Sequence, residues 1–306
     1  MTDLLGVMEA WQPPVARVRA ESGELVEIAL GDIVSGKPVP PRPRPRLRIS
    51  AEDAERRALA GWPAPDTEPL GEWLLRAAGG FSTRANSTLA VGEPGLPVQR
   101  ALERAEGFYA ARGLPPLAQV VVGSPVEPDI ESAGWVDARP GEDDTAFLVA
   151  SVSTAGRATR RLQPGEDLPV QIGPSITPVW LATDDRAREH ADAAAAVLEG
   201  PDRVAFVVLG PPDEVWARGR VSVGPAGDPS EDWAGITDVW VDPAHRRRRL
   251  AVAVLGAMLG WAAEQGALTT YLQVRADNAA GLALYERLGF TEHHRYRYLT
   301  PGRGAS

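Results

Sequence analysis

The sequence predicts an α+β protein, a mixed and largely antiparallel sheet flanked by helices, with a small all-β segment ahead of it. Three observations carry this expectation. Two stretches of alternating strand and helix patterns follow the same order, a short run of strand patterns precedes them, and a Pro/Arg-rich segment lies between. With 306 residues, 44% of them hydrophobic, the chain can build two domains with apolar cores.

Residues 5 to 34 read as short strands. Val15 to Ala20 alternates, Ser22-Gly23 turns, Leu25 to Leu30 alternates again, and Ile33-Val34 follows. This is the pattern of part of a small β-barrel, assigned to residues 1–37. Residues 38–48 interleave Pro38, Pro40, Pro41, Pro43 and Pro45 with arginines, and proline's fixed φ and missing donor make the segment an extended spacer. Ser50 caps a helix to about Gly61, and a second helix is predicted from Thr67 to Ala78, stopped by Gly79-Gly80. Strand residues follow near Asn86 to Val91, then a helix from Leu96-Pro97 to Arg112-Gly113 and a strand at Ala118 to Val122. A short helix ends at Ala133-Gly134, and Trp135 leads into a strand at Ala146 to Val152. Residues 49–152 form the first series.

Residues 153–306 form the second. Asp184 to Leu198 is an alanine-rich helix, and Arg203 to Leu209, Glu214 to Val223 and Trp233 to Val241 are strands. A helix from about Arg247 to Gly266, a strand at Thr269 to Val274, a helix from Asn278 to Leu288 and a strand near Phe290 to Leu299 complete it. Ile130 to Trp135 parallels Tyr285 to Phe290, each a helix stopped by glycine before an aromatic opens a strand. A degenerate internal repeat is one explanation, and a commonplace junction is the other.

Composition narrows the chemistry. With no cysteine there is no disulfide, thiolate metal site or cysteine nucleophile. Of four histidines, adjacent His293 and His294 are too close for a helical metal pair, so no metal site is expected. A formal net charge of -9 argues against general nucleic-acid binding and favours cationic small molecules or basic peptides. Met1 to Pro14 lacks signal-peptide features, and the longest mostly apolar run, Leu250 to Ala263, is too short to cross a bilayer. A cytoplasmic monomer or homodimer with no membrane partner is expected.

Against this acidic background stand four adjacent arginines, Arg246 to Arg249, between a strand ending at Val241-Asp242-Pro243 and a helix. The first amides of a helix lack intrahelical partners and the macrodipole adds positive charge, so a phosphate there gains several hydrogen bonds. The matching turn of the first series, Val91 to Pro97, is acidic and arginine-free. On the strand, strict alternation puts Thr237, Val239 and Val241 on one face and Ile236, Asp238 and Trp240 on the other, unless a bulge intervenes. The helix from Leu250 is apolar on nearly all sides and should be buried. Asn278 and Tyr285, two helical turns apart, share a face. Read singly, the asparagine is a cap and the tyrosine is packing.

Together these residues resemble a family. Val241-Asp242-Pro243, Arg246 to Ala251, Asn278, Ala283, Tyr285 and Gly289-Phe290 are similar to the acetyl-CoA site of the GNAT superfamily of N-acetyltransferases, most clearly over residues 233–299. The whole layout resembles an actinobacterial histone-acetyltransferase-like group, with a partial SH3-like segment followed by a degenerate GNAT-like half and a C-terminal GNAT fold. The resemblance implies that main-chain groups of Val239, Trp240 and Val241 pair with the pantetheine arm. It further implies that Arg246, Arg247, Arg248, Arg249, Leu250 and Ala251 wrap the pyrophosphate, that Asn278 contacts the cosubstrate, and that Tyr285 lies near its sulfur. One departure is Arg249, where the family usually has glycine; if already helical it still offers its amide, and weaker or altered binding is expected.

The reaction so implied moves an acetyl group directly from the acetyl-CoA thioester to a primary amine, of a protein lysine or a small cationic amine. At pH 7 a lysine-type amine with pKa ~10.4 lies about 3.4 units from its nucleophilic form, roughly 4.6 kcal/mol. Asp238 is the candidate base, with Glu231 or Asp232 as substitutes, and a salt-bridging role for Asp238 is the competing reading. Tyr285 is the candidate acid toward the departing thiolate. A catalytically silent CoA-binding module is the alternative function.

Overall fold

The computed structural model describes residue 4 and residues 6–20, 23–33, 48–142, 144–163, 168–224 and 232–302. Two compact units divide the chain, residues 1–43 and 44–306. In the first, strands β1 (Gly6–Gln12), β2 (Val15–Ala20) and β3 (Leu25–Ala29) form an antiparallel three-stranded sheet in sequence order. Ala16 and Val18 are its buried residues. Among the described residues this sheet does not close into a barrel. The expected Pro/Arg spacer, apart from Arg48, lies outside the described residues, as does Glu231.

The second unit opens with α1 (Ala51–Leu59), capped by Ser50 accepting the Asp53 amide at 3.0 Å. Then come β4 (Asp66–Leu70), β5 (Trp73–Ala77), β6 (Thr88–Ala90), α2 (Val98–Ala110), β7 (Ala118–Val121), α3 (Glu127–Ser132), β8 (Trp135–Asp137) and β9 (Thr145–Ser151). These are followed by α4 (Val152–Leu162), β10 (Val170–Gly173), α5 (Pro178–Leu181), α6 (Asp185–Glu189) and α7 (Ala191–Leu198), then by β11 (Val204–Leu209), β12 (Ala217–Gly224) and β13 (Trp233–Val241). The chain ends with α8 (Leu250–Glu264), β14 (Thr269–Arg275), α9 (Ala279–Arg287) and β15 (Thr291–Pro301). One 12-stranded sheet runs β10-β11-β12-β13-β14-β9-β15-β7-β6-β5-β4, with β8 also on β15.

The repeat read from sequence has a topological counterpart. β6–α2–β7 and β13–α8–β14 are each a parallel pair joined through a helix, while most other pairings are antiparallel. Gly134 and Gly289 end α3 and α9 with φ of 88° and 87°. The boundary drawn at residue 152 does not separate two sheets. β9, from the first series, lies between β14 and β15, and its Ala146, Leu148 and Ala150 enter the core under α8. β15, from the second, pairs with β7 and β8, and its Leu299 is buried in the core of the first half with Trp73, Leu102 and Ile130.

Three elements differ from the sequence reading. The helix expected over Thr67 to Ala78 is the β4–β5 hairpin, in which Gly71-Glu72 forms the two-residue turn and Leu70 faces Trp73. Gly71 takes φ +59°, which such turns require, and Pro69 sits on the edge strand, where its missing donor costs no ladder bond. The helix α4 was not anticipated. It buries Val152, Ala155, Gly156 and Thr159, an i, i+3, i+4, i+7 face laid against α8. The alanine-rich helix is broken at His190 into α6 and α7.

Gly71 and Gly113 both have positive φ, but a Cβ at Gly71 would overlap the Pro94 backbone whereas one at Gly113 meets nothing within 4 Å. Gly113→Ala is expected to cost about 1 kcal/mol of conformational strain. Gly71→Ala should cost at least ~2 kcal/mol, because strain and clash add. Urea unfolding of the two variants checks the order, and equal losses would refute the close approach of the hairpin to Pro94.

Candidate active site

β13 and β14 are hydrogen-bonded neighbours only at one end. Pairing runs from Trp233↔Thr269 to Ile236↔Leu272 and stops. Beyond it β13 continues with β12 alone to Val241↔Ala217, while β14 continues with β9 alone to Arg275↔Thr145. The two parallel strands therefore part. Burial changes at the same point, since residues 233–236 are buried and Thr237 to Val241 are half-buried.

A bulge sits at the parting. Thr237 faces Arg220 and Trp240 faces Arg218, so Asp238 and Val239 oppose the single residue Gly219. Asp238 takes φ 55°, a left-handed conformation that aspartate tolerates better than most residues. The extra residue overturns strict alternation. Ile236, Val239 and Val241 join the core under α8, whereas Trp240 packs on the opposite face with Trp62 and Phe81. Gly219 lets α8 approach, because a Cβ there would lie 2.7 Å from Val254 Cγ1 and 2.8 Å from Met258 Cε.

Two buried arginines on β12 underlie the bulge. Arg218 donates to the Asp238 carbonyl at 3.2 Å and pairs with Asp184 at 3.2 Å. Arg220, with no exposed surface, donates to the Leu198 and Gly61 carbonyls and the Thr237 hydroxyl. Burial pushes its guanidinium down to about 10 against the pull of the Asp238 carboxylate, leaving it charged at neutral pH. The Asp238 side chain is 10% exposed, and its Oδ1 lies 3.8 Å from Arg186. Its Oδ2 is buried with no hydrogen-bond partner. Asp232, by contrast, is paired with Arg203 at 2.5 Å, at the other end of the strand.

Beyond β13, Asp242 caps a 3₁₀ turn, Pro243 to His245, by accepting the Ala244 amide at 2.7 Å. His245 stacks on Trp216 at 5.2 Å, and the Arg248 guanidinium lies 5.0 Å from the same ring. Arg246 to Arg249 are all exposed. α8 begins at Leu250 rather than Arg247, because Arg247 and Arg249 have φ of 65° and 60°. Arg249 is thus not helical, as expected from sequence, but left-handed. Val252 and Ala253 donate to the Arg249 carbonyl, whereas the amides of Arg249, Leu250 and Ala251 have no acceptor among the described residues. That is the donor set an anion needs, and it fits a pyrophosphate.

In the first half the corresponding turn is filled by the protein itself. Glu72 accepts the Glu93 amide at 2.8 Å, Trp73 donates to the Gly92 carbonyl at 3.0 Å, and Arg56 donates to Val91 at 3.3 Å.

Asn278 caps α9, its Oδ1 accepting the Gly281 amide at 3.0 Å. Tyr285 packs on the α8-side core and meets Phe290 edge-on at 5.8 Å. Burial pushes its phenol up to about 12, so it holds its proton through the physiological range. Tyr285, Val239 and Val241 thus share the α8 side of the sheet.

Asp238 opens instead into a cavity of about 270 Å³. Thr237 and Asp238 from β13 and Gln273 and Arg275 from β14 line it, together with Tyr296, Tyr298, Trp62, Arg186, Arg139 and the Ser82-Thr83-Arg84 loop. Sequence reading missed most of these residues. They come from segments up to 236 positions apart and carry no motif. Among the described residues there is no group of three or more His, Asp or Glu placed to hold a metal, and no helix long and apolar enough to cross a membrane.

A mixed sheet with parting parallel strands, a bulge and an anion-ready helix start defines a GNAT N-acetyltransferase. The family model described as probable histone acetyltransferase Rv0428c C-terminal matches residues 51–299, and the chain belongs to that family. It is 30% identical to the probable histone acetyltransferase Rv0428c of Mycobacterium tuberculosis, over 98% of this chain and 89% of that one. It is 27% identical to the uncharacterized N-acetyltransferase YobR of Bacillus subtilis, over 78% and 95%. A solved tandem GNAT protein from the clavulanic acid biosynthesis pathway shares the fold with TM-score 0.51 at 17% identity, over 68% of this chain and 69% of that one.

The left-handed arginines generate a stability prediction. A left-handed non-glycine residue costs about 1–2 kcal/mol. Arg249→Gly is therefore expected to stabilise the protein by about 1 kcal/mol, whereas Arg249→Ala, which keeps the Cβ, should not. Thermal unfolding of both variants checks this, and an equal gain in the alanine variant would contradict it.

Proposed function

We propose that the protein acetylates a primary amine from acetyl-CoA at the gap between β13 and β14. The observation supporting this most strongly is the parting itself, where β13 turns from buried to half-buried and one backbone edge is left without a strand neighbour. A pantetheine arm carries amide groups that complement such an edge. Main-chain groups of Val239, Trp240 and Val241 would hold it. The amides of Arg249, Leu250 and Ala251, with the guanidinium groups of Arg246 to Arg249, would hold the pyrophosphate. Asn278, its Oδ1 engaged as a cap, would contribute Nδ2. Bound acetyl-CoA supplies the activated acyl group and the thiol leaving group.

Asp238 and Tyr285 would serve from opposite sides of the sheet. Asp238, a cavity residue with one carboxylate oxygen lacking a hydrogen-bond partner, would take the amine proton. On the α8 side the protonated Tyr285 hydroxyl is the donor for the departing sulfur. The acetyl group held in the gap would lie between the two. Net charge favours approach of a cationic amine, a lysine side chain or a small molecule.

Thiol release from acetyl-CoA over a panel of amines tests the reading, with no cysteine in the protein to contribute background. CoA binding without amine-dependent release would instead support a silent module. Tyr285→Phe is expected to lower kcat about 10- to 100-fold while CoA affinity stays within about twofold. Because the Tyr285 phenol is raised to about 12, the rate should show no descending alkaline limb below about pH 10; such a limb would remove Tyr285 as donor. Asp238→Asn should lower kcat/KM about 100-fold or more at pH 7. Its deficit should shrink as pH nears the amine pKa, and a pH-independent deficit would remove Asp238 as base.

A further inference from the structure

We infer that the acceptor is a small amine that also carries an anionic group, of the free amino acid class, held by Arg84 while its amine faces Asp238. This rests on the proposed function and names the acceptor chemistry of the same cavity.

The charges around the cavity carry the inference. Four arginines line it, Arg84, Arg139, Arg186 and Arg275, against one carboxylate, Asp238. Arg275 is neutralised by Asp277 and Glu142, and Glu142 also lies 3.9 Å from Arg139. Arg186 lies 3.8 Å from Asp238. The buried Glu55 is engaged by His294 at 3.0 Å. Arg84 forms no ion pair among the described residues, and the one carboxylate that acts on it, Glu55, does so without contact. Its guanidinium lies 5.2 Å from the Trp62 ring, and its Nε is buried with no hydrogen-bond partner. Arg84 and Asp238, residues of opposite charge that each keep one buried polar atom without a hydrogen-bond partner, thus line one cavity. A zwitterion complements both.

The loop bearing Arg84 is built to hold position. Asn86 is buried and uses every hydrogen-bonding group, accepting from Ala78 and Gly80 and donating to the Phe81 and Ser82 carbonyls, at 2.8 to 3.1 Å. Ser82 accepts from Trp62 Nε1 at 3.0 Å and from the Ala85 amide at 3.2 Å. A guanidinium carried on such a loop offers a planar fork suited to a carboxylate. A purely cationic acceptor, such as a polyamine, would leave Arg84 unpaired and add like charge beside it. The acidic charge of the whole chain governs approach, whereas these buried groups govern selection.

The test measures thiol release by the full chain with L-amino acids, the matching amino acid amides, phosphoethanolamine, a lysine peptide and a polyamine. The acids are expected to exceed their amides in kcat/KM by about 10- to 100-fold, the range of a charge-assisted pair. Arg84→Met should abolish that ratio without changing CoA affinity, and Arg84→Lys should keep part of it. A second readout is independent of turnover. Calorimetry on the CoA complex should show N-acetyl amino acids binding more tightly than N-acetyl amino acid amides in the wild type, and equally in Arg84→Met. If this preference appears without turnover, the anion site stands and the enzyme reading falls. Equal acid and amide in both assays, or a polyamine or lysine peptide as best acceptor, overturns the inference; a preference for phosphoethanolamine over every acid overturns the amino acid class.

Discussion

The structure depends on an exchange of strands. β9 leaves the first half to lie between β14 and β15, and β15 leaves the second to pair with β7 and β8. Continuous backbone hydrogen bonding then joins the halves through the middle of a single sheet. Their relative placement is fixed by strand register, since a one-residue slip would exchange the β9 residues in the core under α8, Ala146, Leu148 and Ala150, for Phe147 and Val149, which pack on the opposite face with Ala54 and Ala58. The Arg84 loop of the first half consequently meets Asp238 of the second in a defined geometry.

The second constraint is local. Because β14 is held along its whole length by β9, it cannot follow β13 past Ile236, and β13, tied to β12, bulges at Asp238. One extra residue does three things at once. It exposes a backbone edge, turns Val239 and Val241 toward α8, and places a carboxylate on the other face. Charged Arg218 and Arg220 beneath the bulge offset the cost of burying that carboxylate, which would otherwise be several kcal/mol.

Much of the second half was legible because its signals are local. The strand ending at Asp242-Pro243, the arginine run, the apolar helix and the Asn278 cap each state their structure within a few residues. The left-handed conformations of Arg247 and Arg249 were not legible, since arginine gives no hint of positive φ. The bulge was hidden likewise, because it is set by pairing with Arg218 and Arg220 and not by anything in Trp233 to Val241 itself. In the first half, Leu70, Trp73, Leu74 and Ala77 have helical spacing, and Gly71 alone marks the turn that splits them into two strands. The exchange of β9 and β15 has no sequence signal, because which strands pair is set by contacts distant in sequence and not by the residues of either strand.

The two halves differ at their corresponding turns. Around α8 the amides are left open and flanked by exposed arginines, whereas around α2 a carboxylate from the neighbouring hairpin, Glu72, occupies the turn and Arg56 neutralises it at 3.2 Å. An internal carboxylate already satisfies the Glu93 amide, a donor that an incoming phosphate would require. That half instead supplies Trp62, Ser82, Thr83, Arg84 and Arg139 to the wall of the Asp238 cavity. The buried Asn86 holds this loop in place, and Arg84 lines the cavity together with Asp238 of the other half.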